Sequence, residues 1–130
     1  MSSDKPIVTR TTEHWLQADG ILRSTALPGA GQSLEDAHEA VALLEVLSPG
    51  KRRPLLVDLR SLRKPVDRQA REYYNGPETA RVLTALALLV GSPASRVVGN
   101  FLISISPHRV PTRLFSQEAE ALDWLGGFVD

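Results

Sequence analysis

The stretch RPLLVDLRSLRKPVDRQAREYYNGPETARVLTALALLVGSP, residues 53–93, decides the fold. It contains two apolar runs, Leu55–Leu59 and Val82–Val90, the first interrupted only by Asp58 near its C-terminal end. Short continuous apolar runs mark strands covered on both faces, as parallel strands are. Between them VDRQAREYYN, residues 66–75, reads as a short helix, opened by Asp67 and stopped by Asn75-Gly76. Pro77-Glu78 begins a further helical turn. Strand, helix and strand in this order make a right-handed crossover in a parallel sheet.

The flanks extend the same alternation. Upstream, IVTRTTEHWLQ (residues 7–17) has the β-branched and aromatic content of one strand, Asp19-Gly20 is a hairpin turn, and Ile21–Leu27 is a second strand antiparallel to the first. Ser33, with Asp36 three residues later, predicts a capping box for a helix over LEDAHEAVALLEVL. Its apolar positions Leu34, Ala37, Val41, Leu44 and Leu47 follow helical spacing, and Ser48-Pro49-Gly50 stops it. Downstream, Ser92-Pro93 is a helix start. The helix PASRVVGNFLISI turns Val97, Val98, Phe101, Leu102 and Ile105 to a core. Thr112–Phe115 is a last strand. Ser116 is expected to cap a final helix whose Ala119, Leu122, Trp124 and Leu125 face inward, ended by Gly126-Gly127. The expected fold class is therefore α/β, a mostly parallel sheet with an N-terminal antiparallel hairpin strand and four to five helices.

Composition bounds the function. The 130 residues have the length of one domain, 1–130, with 1–6 as a flexible tail, and 42% apolar and 23% charged residues are ordinary for a globular chain. Cysteine is absent, which excludes disulfides, thiolate metal sites and a cysteine nucleophile and fits a reducing cytoplasm. The N-terminus lacks the pattern of a signal peptide, and the longest apolar stretch, 82–105, is broken by Ser92-Pro93, Arg96 and Asn100. A cytoplasmic location without membrane insertion is expected. Net charge is zero, so no overall field draws in nucleic acid.

Charge is uneven along the chain. Between Lys51 and Arg71 stand eight Lys or Arg against two Asp, so the rest of the chain carries the compensating negative charge. With a strand over Leu55–Leu59 this run divides into two patches, roughly 20 Å apart at the usual rise per residue. The patch beyond the strand, with Asp58, Arg60, Ser61, Arg63 and Arg68, lies where parallel sheets place ligands, and is the candidate site for a partner or an anionic ligand. Cationic neighbours favour Asp58 as a counter-ion over a general base. Ser61 is accessible among arginines that would stabilise a phosphate, but nothing in the sequence demands one, and a plain turn serine is the favoured reading. His14, His38 and His108 show no ligand spacing, and no nucleophile elbow, phosphate loop or dinucleotide fingerprint is present, so no catalytic residue, metal or cofactor is assigned. Tyr73-Tyr74 is expected to pack on the sheet. The apolar stripe of the 97–105 helix is wider than one face needs, and Gly99 admits a close backbone. Val98, Phe101 and Leu102 are accordingly the candidate surface of a homodimer.

The element order, the Asp near the end of LLVDLRSL and the closing TRLFSQEAEALDWL resemble the SpoIIAA-like fold of STAS domains, and more closely the small bacterial STAS-like proteins of unknown function. The resemblance covers about residues 7–128. Classical antagonist STAS domains keep a phosphoacceptor Ser or Thr in an Asp-Ser-x-Gly turn after that strand. Here Asp67 matches the Asp, but Arg68 stands at the Ser position and Ala70 at the Gly position, so the phosphorylation switch does not carry over. The resemblance implies a non-enzymatic protein-binding or regulatory module. The alternative is a binder of an anionic small molecule, lipid or phosphorylated ligand at the rim after the central strand. CRAL-TRIO proteins share the general architecture and hold lipids, which adds an internal lipophilic pocket, the least favoured reading for a chain of this length without a separate lid.

Overall fold

Both apolar runs become neighbouring interior strands of a six-stranded sheet. The computed structural model describes residues 5–28, 31–62, 64, 66–104 and 110–129, with the side chains of 94, 98 and 101–104 excepted. The strands are β1 (Ile7–Val8), β2 (Thr12–Leu16), β3 (Leu22–Ala26), β4 (Arg53–Asp58), β5 (Leu83–Leu89) and β6 (Thr112–Phe115), in spatial order 1-2-3-4-5-6. β1, β2 and β3 form an antiparallel meander, and β3 to β6 are parallel. Parallel strands added in one direction send their right-handed crossovers to one face. That face carries α1 (Leu34–Leu47), α2 (Arg68–Tyr74), the one-turn α3 (Pro77–Ala80) and α4 (Pro93–Ser104), while α5 (Glu118–Gly126) covers the other.

The period of two along β5 divides its side chains between these layers. Leu86 and Leu88 meet the α1–α4 side, together with Val41 and Leu44 of α1 and Ala70 of α2. Ala85, Ala87 and Leu89 meet Ala121 and Leu125 of α5. Local punctuation holds the elements in place. In the Ser33/Asp36 capping box, Ser33 Oγ accepts from the Asp36 N–H at 3.3 Å and Asp36 Oδ2 from the Ser33 N–H at 2.9 Å. Gly20 at the β2–β3 turn and Gly50 after α1 have φ of 84° and 74°, a region closed to most side chains. Pro54 enters β4 at a shift in its register with β5, where a missing N–H is tolerated.

Several local expectations differ. Residues 7–17 are two strands, because Thr9 makes a turn between them: its Oγ1 accepts from the N–H groups of Thr11 and Thr12, and its own N–H donates to the Thr12 carbonyl at 2.8 Å. The cap of α5 is Gln117, without a side-chain hydrogen bond, and Ala119 is exposed. Val97 is 54% exposed instead of buried. Gly99 serves a contact within the chain, since a Cβ there would lie 2.6 Å from Leu114 Cδ1 and 2.9 Å from Val90 Cγ1. Its missing side chain lets α4 approach β5 and β6. The side chains of Val98, Phe101 and Leu102 and the whole of Ile105 lie outside the described residues.

The first half of the basic run is structural. Arg52 donates through Nε and Nη2 to the Leu83 carbonyl, at 3.1 and 2.7 Å, and Arg53 Nε donates to Ser48 Oγ at 2.8 Å. Both guanidinium groups tie the start of β4 to its neighbours.

Candidate functional site

At the other end of β4 the chain turns through Asp58, Leu59 and Arg60. Asp58 Oδ1 accepts from the Arg60 backbone N–H and from its Nε, both at 3.0 Å, and Oδ2 accepts from Nη2 at 2.8 Å. This closes a local turn and a two-pronged ion pair at once. Nη2 also donates to Glu118 Oε1 at 3.3 Å, tying the loop to the first turn of α5. The hydrogen bond that Arg60 donates to Asp58 is the main cause that raises the pKa of Arg60. The stem of Arg60 lies over Gly91, where a Cβ would meet its Cγ at 3.1 Å.

The other rim residues are less tightly drawn in. Arg68 opens α2 and pairs with Glu72 at 3.2 Å, one helical turn on, with 83% of its side chain exposed. Ser61 is exposed, and Arg63 lies outside the described residues. Arg60 and Arg68 therefore answer to different carboxylates. Ala70, at the position of the glycine in the STAS turn, is fully buried beside Ala37 and Val66.

A second feature lies inside the molecule. Between the sheet and α1, α2 and α3 is a cavity of about 70 Å³, walled by aliphatic side chains such as Val41, Leu44, Leu55, Val57, Leu86 and Leu88. One edge is polar. His14, 1% exposed, is held by two hydroxyls, with Thr12 Oγ1 at 2.6 Å from Nε2 and Ser24 Oγ at 2.6 Å from Nδ1. Burial disfavours its charged form and lowers its pKa from 6.5 to about 4. Tyr74 OH donates to Gln32 Oε1 at 2.8 Å, and burial pushes the phenol above its usual range. Gln32 Nε2 in turn donates to Thr11 Oγ1 at 3.3 Å, and a short bridge pairs Gln32 with Val66. Tyr73 packs its ring against His38, with centroids 4.3 Å apart.

Sequence reasoning passed over His14, Ser24, Gln32 and Tyr74 as a group. Alternation along TEHWL does put Thr12 and His14 on one face, and the β2–β3 register sets His14 opposite Ser24. The signal was thus present for the pair across the hairpin, whereas Gln32 and Tyr74 meet only through tertiary packing. Among the described residues no group of His, Asp and Glu is arranged to hold a metal ion, and no helix is long and apolar enough to cross a membrane.

This topology is that of a SpoIIAA-like protein. The structure superposes with TM-score 0.56 on an uncharacterized DUF3478-family protein with a SpoIIAA-like fold from Shewanella loihica PV-4, 21% identical, over 96% of this chain and 98% of that one. Residues 14–129 match the family described as Domain of unknown function (DUF7793), and the chain belongs to that family. A protein of unknown function from Arthrobacter sp. FB24 is 36% identical over 92% of this chain and 95% of its own, with a TM-score of 0.36. No curated protein matches the sequence.

Proposed function

We propose that the chain acts in the cytoplasm as one non-enzymatic binding module, engaging another protein through the rim after β4. The observation that carries this reading is the Arg60 fork, which is paired with Asp58 and Glu118 yet leaves about half of its side chain exposed. A free anion meets a guanidinium already flanked by two carboxylates, whose charges repel it. A protein surface can lie across this paired cluster and add its own contacts at exposed Ser61, Lys64 and Arg68. Arginine is also among the residues that anchor protein interfaces. Supporting a non-enzymatic role, Asp58 is engaged as a counter-ion, and both ring nitrogens of buried His14 are engaged by hydroxyls.

The test compares tagged wild type with an Arg60/Arg63/Arg68 triple alanine variant in pull-downs from the source cell. Partners lost from the variant at unchanged thermal stability support the rim, whereas identical partner profiles remove it. Self-association through α4 is the second reading, favoured by the exposure of Val97 and centred on Val98, Phe101 and Leu102. It requires light scattering to give about twice the 14.2 kDa chain mass. A monomer at high concentration eliminates it.

A further inference from the structure

The internal cavity is separate from the rim and has a chemistry of its own. Its volume, about 70 Å³, is several times the roughly 10–15 Å³ that one water needs. A buried water also needs two to four polar partners. The walls from α1, β4 and β5 offer none, and among the described residues every buried polar side-chain atom already has a partner. Largely apolar space of this kind takes up compact apolar molecules, as an engineered cavity of ~150 Å³, about twice this volume, takes up benzene.

The polar edge adds selectivity. Neutral His14 has one nitrogen that donates and one that accepts, so of Thr12 and Ser24 one hydroxyl receives its proton and the other gives one. A hydroxyl has one donor and two acceptor positions. Thr12 Oγ1 meets Thr9 Oγ1 at 3.0 Å as well, whereas the contact with His14 occupies only one position on Ser24. Ser24 thus retains capacity on the cavity edge. We propose that this cavity binds a compact, largely apolar molecule of at most about five non-hydrogen atoms, smaller than benzene, with one hydroxyl or carbonyl group facing Ser24. An acyl chain of lipid length exceeds this space.

Cyclopentane and cyclobutanol, each of five non-hydrogen atoms, serve as probes, titrated into the full chain labelled at Leu and Val methyl groups and followed by NMR. Saturable shifts at Val41, Leu44, Leu55 and Val57 are expected with both, and cyclobutanol should bind at least about threefold tighter, roughly one hydrogen bond's net contribution. Ser24→Ala should erase the preference for cyclobutanol while leaving cyclopentane binding intact. Ala40→Leu, and Val57→Leu should the first variant misfold, should fill the space and abolish both titrations. Non-saturating shifts up to the solubility limit, or unchanged binding in the folded filled variants, overturn the site. Equal affinity for the two probes overturns the role of Ser24. Arg60→Ala leaves these titrations unchanged, so failure here and failure of the rim reading are distinguishable.

Discussion

The two faces of the sheet are both covered by helix, yet they are built differently. Under α5 the sheet presents Ala85 and Ala87, and the helix answers with Ala121 and Leu125, so small side chains allow close approach. On the other face Leu55, Leu86 and Leu88 meet α1 and its neighbours around an open space, and one edge of that layer is the Thr12–His14–Ser24 chain. A close-packed interior loses stability with any change in volume, whereas a layer with spare space and a satisfied polar edge has room to respond. The difference places mechanical strength under α5 and chemical opportunity under α1.

The largest effect is expected from weakening the close-packed face. Leu125 is fully buried, and Leu125→Ala should cost about 2–5 kcal/mol in denaturant unfolding. A loss under about 1 kcal/mol would mean that the α5 layer is no tighter than its counterpart.

Acid should act on the opposite face. The pKa of His14 is about 4 when folded and 6.5 ordinarily, so between these values the unfolded chain binds more protons. Stability is then fully present above pH 6.5 and falls as pH drops to 4, by about 3 kcal/mol in all. Asp36 behaves in a separate window. Burial raises its carboxyl pKa, but hydrogen bonds from Ser33 and Arg10 and the Arg10 charge outweigh this and lower it. Its contribution is present above the ordinary value of 3.8 and is lost below it. Unfolding at a series of pH values should show the His14 loss in wild type and a flat profile from 6.5 to 4 in His14→Asn. A sloping profile in that variant would assign the effect elsewhere.

The smallest effect sharpens the comparison most directly. Ala87→Val adds two methyl groups beneath α5 and should cost about 1–3 kcal/mol. Ala40→Val adds the same groups beside the cavity and should cost under about 1 kcal/mol, because the space to receive them exists and only helix propensity opposes the change. Equal costs would erase the distinction between the faces.

Much of this was legible in the sequence where the determinants are local. The Ser33/Asp36 box, the stop at Ser48-Pro49-Gly50 and the aliphatic run of β5 depend on neighbours a few residues apart, and they form as expected. Thr9 was misread because its hydroxyl can bond backbone N–H groups, a competitor to strand pairing that β-propensity ignores. The rim was legible as a place but not as an arrangement. Asp58 and Arg60 are close in the chain, while Glu118, which shares the same guanidinium, comes from α5.

By itself the sequence determined the alternation of strands and helices, and with it a parallel sheet, because periodicity and turn chemistry act over one or two turns of chain. Only the tertiary structure decided that His14 is buried and neutral, that Gly99 faces Leu114 and Val90 of its own chain, and that a cavity remains between the sheet and α1. Each of these depends on how side chains distant in sequence fill a shared volume.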